Sequence, residues 1–148
     1  AGLDPTKKWE KGEKRPWNAR LKVIQWKAGE SFVKFQNHPH DHYGRYYVER
    51  KKIEVERNEA GEYRWQAAEI LGSKKFAHDT EAYKAYIQGY LPPGHIHARA
   101  KRWAVKMFVS HYHHVAYELH FKEPPPVPFI IASDTRHTHY LPPPNWPM

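Results

Sequence analysis

Twelve histidines in a chain of 148 residues are its most chemically capable side chains, and their spacing limits what they can do. His38, His40 and His42 alternate, so an extended strand would turn all three imidazoles to one face. His111, His113 and His114 form a second group with His120 beyond it, and His95 with His97 a third. Imidazole suits zinc, and a catalytic zinc site takes three protein ligands. No group has the helical His-Glu-x-x-His spacing, and only Asp41 and Glu118 stand at a matching offset. There is no Cys, so thiolate ligands and Cys nucleophiles are absent. The expectation is no bound metal and no other cofactor, with His used as a mid-sized polar aromatic at interfaces.

Other catalytic constellations are missing. The four Ser lie outside any nucleophile motif, and there is no Gly-rich phosphate loop. Glu54 and Glu56 alternate with Ile53 and Val55, as on a solvated face. The chain reads as a non-enzyme. Its cations suggest binding instead: Arg99, Lys101, Arg102 and Lys106 with Trp103 could follow a phosphate backbone, and Trp9 and Trp17 stand among lysines.

The elements that must position these groups are sparse. Leu, Ile, Val and Phe together make about 18% of the chain, below the roughly 20% usual for a self-sufficient core. Six Trp, ten Tyr and six Phe partly compensate. The longest apolar run, Val127 to Ala132, is far short of the roughly 20 residues of a membrane span. The net charge of +8 is concentrated in residues 1–34 and 91–122, flanking a neutral 35–90. Such flanks fit nucleic acid, anionic lipid headgroups or acidic protein surfaces. The chain opens at Ala1, which suggests loss of an initiator Met or of a targeting peptide.

Residues 1–30 read as an extended basic arm, with short strands at Leu21 to Trp26 and Ser31 to Phe35 joined through Ala28-Gly29-Glu30. Lys52 to Arg57 and Glu62 to Ala67 alternate around Asn58-Glu59-Ala60-Gly61, which predicts an antiparallel hairpin over 43–67. Helices follow at about 80–88 and 95–111; residues 112–122 fit helix or strand. The rest, 123–148, is a Pro-rich extended tail. The fold class so read is α+β: a small aromatic-rich antiparallel sheet body over 31–122, with one or two helices and long arms.

The run Asp41-His42-Tyr43-Gly44-Arg45-Tyr46-Tyr47-Val48-Glu49 resembles the Asp-x-Tyr-Gly-Asn-x-Tyr-Tyr-Glu signature of a small basic accessory subunit of mitochondrial complex I, the family whose assembly-factor paralogue is mimitin. Arg64-Trp65, the turn Pro92-Pro93-Gly94-His95 and the tail from Thr135 to Met148 are similar to later family features. Gly94-His95 replaces the family's Glu-Trp, and Lys122-Glu123-Pro124-Pro125 its Asp-Asp-Pro-Pro. The resemblance implies no catalytic residues. It implies a hairpin body docked on an iron–sulfur subunit of the matrix arm, peripheral to the inner membrane on its matrix side.

Physical chemistry points the same way, because a chain short of aliphatic core gains order by burial against partners. The expected partner-binding residues are Trp9, Trp17, Tyr43, Gly44, Tyr46, Tyr47, Trp65, Pro92, Pro93, Trp103 and Trp146. The expected function is a structural subunit of complex I; the alternatives are an RNA-binding supernumerary ribosomal protein or a subunit of another mitochondrial assembly.

Overall fold

Lys52 to Arg57, read above as a strand, is helical in the computed structural model, which describes residues 9–133 and 137–147. The elements are α1 (Ala19–Lys34), α2 (Tyr43–Glu59), α3 (Arg64–Ser73), α4 (Glu81–Ile87), α5 (Pro93–Phe121) and the short α6 (Phe129–Ser133). No strand occurs among the described residues, so the α+β body and its hairpin over 43–67 give way to a helical one. The cause lies in α2. Its buried residues are Gly44, Tyr47 and Glu54, spaced as one helix face, and one of them is a carboxylate. Ile53 and Val55, the alternating pair, are exposed. Charge inside and aliphatics outside erase the helical hydrophobic period, while the Glu, Lys and Arg content still favours helix. The turn at Asn58 to Gly61 exists, but it joins two helices; Gly61 takes φ 80°, just past the C-cap Ala60.

The arm expected over 1–30 becomes helix at Ala19. There the Asn18 side chain accepts the Leu21 N–H at 3.0 Å, satisfying one of the free donors of the first turn. Gly29, expected in a turn, lies inside α1 at its crossing with α5. A Cβ at that position would stand 2.8 Å from Lys101 Cγ and 3.0 Å from Val105 Cγ2, so the glycine permits close helix contact.

The helix expected at 80–88 is α4, capped by Thr80 Oγ1, which accepts the Tyr83 N–H at 3.2 Å. The one expected at 95–111 begins at Pro93, a residue suited to the first helical position, and runs on to Phe121. Residues 112–121 are thus helix, ended by Lys122 in the left-handed conformation ahead of Pro124.

α5 is the spine. α2 packs along it, α1 crosses it, and α3 pairs with α4. Fully buried Ala100 and Ala104 leave room on α5 for Tyr47, with Phe32, Val33 and Tyr46 packed around. A second core joins Tyr63, Ala67, Tyr86, Leu91 and Ile96. The Asn58 amide donates to the Leu91 carbonyl at 3.0 Å and accepts the Leu91 N–H at 2.9 Å, fastening the segment before Pro92 to α2. No helix is long and apolar enough to cross a membrane among the described residues.

Candidate interaction site

Helical spacing on α2 brings Arg50 and Glu54 together one turn apart, and Arg99 of α5 and Tyr63, the N-cap residue of α3, supply the remaining partners. Glu54, only 2% exposed, accepts from Arg50 Nε at 2.8 Å, Arg99 Nε at 2.8 Å and the Tyr63 hydroxyl at 2.5 Å. Burial pushes its pKa up, but the bonds from Tyr63, Arg99 and Arg50 outweigh burial and bring it down to about 2. Arg99 lies over the Tyr63 ring at 4.3 Å and donates to Gln66 Oε1 at 3.1 Å. Both oxygens of the carboxylate are engaged, so the group ties α2 and α5 to Tyr63, the residue just before α3.

The histidines of α5 pair with tyrosines from other elements. Tyr47 bonds His97 Nδ1 at 2.8 Å, Tyr86 bonds His95 Nδ1 at 3.2 Å, and Tyr43 bonds His111 Nδ1 at 2.9 Å. His111 Nε2 lies 3.0 Å from the Leu141 carbonyl, which can only accept, so Nε2 carries the proton and Nδ1 accepts from Tyr43. Burial lowers the pKa of His95, His97 and His111, each with neighbouring positive charge adding to the effect. These side chains are engaged within the fold, His111 as an acceptor from Tyr43. Among the described residues, no three His, Asp or Glu converge as a metal site.

The tail returns along α5. The Tyr140 hydroxyl meets His114 Nδ1 at 2.5 Å with rings nearly parallel, and Trp146 Nε1 donates to Glu118 Oε2 at 2.5 Å. Between α5 and the segment 124–132 lies a cleft of about 930 Å³, walled by Val105, Val109, Pro124 to Phe129, Ile131 and Tyr140.

The structure thus separates the expected partner-binding residues. Tyr43, Gly44, Tyr46, Tyr47, Pro92 and Trp103 are engaged within the chain: Tyr47 is buried, Trp103 lies against Tyr46 and under Arg50, and Gly44 donates to Asp41 at 2.8 Å. Pro92 is buried beside the exposed Pro93 at the start of α5. Trp146 is half-buried on its own chain's helix. Trp9 and Trp65 remain on the outside, Trp65 being 67% exposed; Trp17 is half-buried, edge-on to Trp9 at 6.0 Å and under Lys22 at 4.8 Å, its Nε1 buried with no hydrogen-bond partner among the described residues.

Reading the sequence as an arm and strands missed the outer surface of α1, where Leu21, Val23, Ile24, Trp26 and Phe35 are exposed. The signal was present in the spacing of Leu21, Ile24, Ala28 and Phe35, which is three, four and seven residues. No protein family, curated protein or solved structure matches this chain.

Proposed function

We propose that this chain is a non-catalytic structural subunit of a large assembly, and that the assembly is mitochondrial complex I, with the chain on the matrix side of the inner membrane. One observation carries the general reading. Among the described residues nine hydrophobics are buried, three of them alanines, while seventeen large hydrophobics are exposed. A surface so rich in exposed aliphatics and indoles is costly in water and fits a protein that is covered in its working state. The specific assembly is supported only by the sequence resemblance over Asp41 to Glu49, Arg64-Trp65, the Pro92-Pro93 turn and the tail, and the docking body is helical rather than a hairpin. No catalytic role is assigned to any residue.

A second reading, an RNA-binding ribosomal protein, is favoured by the exposed Trp9 and Trp26 with Arg15 and Lys22 around the half-buried Trp17, since exposed indoles among cations can stack bases. Purification of the tagged chain from its native source under mild detergent separates the two. Co-purification with flavin and iron–sulfur absorbance supports the complex I reading; co-purification with ribosomal RNA, losing the particle as salt rises, replaces it.

A further inference from the structure

α1 has two faces of different character. Gly29 is buried against α5, with Phe32 and Val33 packed on the core beside it. Leu21 and Ile24, with Phe35 at the C-cap, point away, exposed by 40%, 61% and 56%, with Ala28 and Ser31 between them. The steps 21–24–28–31–35 are three, four, three and four residues, the spacing of a coiled-coil seam. Arg20, Lys27 and Lys34, also exposed, each precede a seam residue and recur every seven positions, forming one basic flank. Among the described residues, no carboxylate forms an ion pair with any of the three. Glu30, the acid of this helix, is engaged by Lys101 of α5.

We propose that this seam docks a helix of a partner protein that carries its own apolar heptad row, flanked by Asp or Glu. The inference rests on the reading of the chain as an assembly subunit and names the chemistry of one neighbour. Ala28 and Ser31 keep the middle of the seam shallow, so a second helix can approach closely and insert larger side chains of its own. The single-sided row of cations sets the register and the orientation of an acidic flank. Val23 and Trp26, the other exposed hydrophobics of α1, lie off this seam by helical spacing, so a membrane surface is kept as a separate arm of the test.

The test uses the full chain and two synthetic helical peptides with the same Ile/Leu seam, one flanked by Glu and the other by Lys, followed by fluorescence anisotropy. Vesicles containing phosphatidylglycerol serve as a third probe. The Glu-flanked peptide is expected to bind about tenfold more tightly than the Lys-flanked one, equivalent to roughly 1.4 kcal/mol over three charge pairs. Combined Arg20→Glu, Lys27→Glu and Lys34→Glu should invert that order, Ile24→Asp should weaken both peptides at least about tenfold, and Ser31→Ala should tighten both. All these positions are on the surface, and circular dichroism checks that helix content is kept. Equal binding of the two peptides, an order unchanged by charge reversal, or binding to vesicles with no preference between peptides overturns the proposal. Loss of the charge-reversed chain from the native assembly supports it; unchanged incorporation refutes it while leaving the subunit reading intact. Failure of the wild-type chain to enter any assembly refutes the subunit reading itself.

Discussion

Replacing Glu54 with Gln keeps the shape of the buried side chain and removes its charge, so it isolates what the carboxylate contributes. The pKa of Glu54 falls from 4.5 to about 2 on folding. A drop of that size corresponds to about 3 kcal/mol of stability near pH 7. The sign follows from the direction: a depressed carboxyl pKa stabilises the fold above its ordinary value, and the contribution fades as pH falls through 4.5 towards about 2. Roughly 2 of those 3 kcal/mol are gone by about pH 3. The contacts agree in scale, because Glu54→Gln leaves Arg50 and Arg99, each 24% exposed, facing a neutral amide. Removing one partner of a buried pair costs about 3–5 kcal/mol, and partial access to water puts this case at the low end. Urea unfolding followed by helical circular dichroism, in sucrose to support a thin core, gives the comparison. The wild type should exceed Glu54→Gln by about 3 kcal/mol near pH 7 and by about 1 kcal/mol near pH 3. A gap that stays the same between the two pH values would refute the role assigned to this carboxylate.

Other expectations follow from single contacts. Gly44→Ala would place a Cβ 2.5 Å from both Asp41 oxygens and 2.6 Å from Gln36 Cα, so a thermal scan should show destabilisation of about 1–3 kcal/mol. Gly72→Ala, with nothing within 4 Å, should stabilise α3 by about 0.5 kcal/mol in the same assay. Asn58→Ala strips both bonds from the Leu91 backbone and should cost about 2 kcal/mol, with faster amide exchange at Leu91. Because burial lowers the pKa of His95, His97 and His111, stability they confer is present above their ordinary value of 6.5 and is lost as pH falls below it; changing all three to Asn should flatten that pH window in urea titrations.

What was legible in the sequence depended on whether local signals agreed with burial. α4 was readable from the Thr80 cap and α5 from the apolar stripe of Ile96, Ala100, Trp103 and Met107, although Pro93, read as part of a turn, is the first residue of that helix. α2 was not, since the side chain it buries most deeply among large ones is a glutamate whose partners come from Tyr63 and Arg99, nine and forty-five residues away. α1 was obscured by Gly29, a residue that signals a turn in sequence but here fits a helix crossing. The histidines stood out by number, yet their tyrosine partners are 50 and 68 residues distant for His97 and His111, so no spacing rule could pair them. The tail's need for a surface was readable from Trp146; that the surface is α5 of the same chain required the structure.

Hydroxyl-radical footprinting reads directly whether the exposed apolar surface is covered in the working state. The native particle and the isolated chain are labelled in parallel, with the buried Tyr47 as the internal reference. Ile24, Trp26 and Phe35, all more than half exposed in the chain alone, should be strongly protected in the particle, while Tyr47 labels weakly in both. Equal labelling of Ile24, Trp26 and Phe35 in the two samples would contradict the claim that this chain works as a covered subunit of a larger assembly.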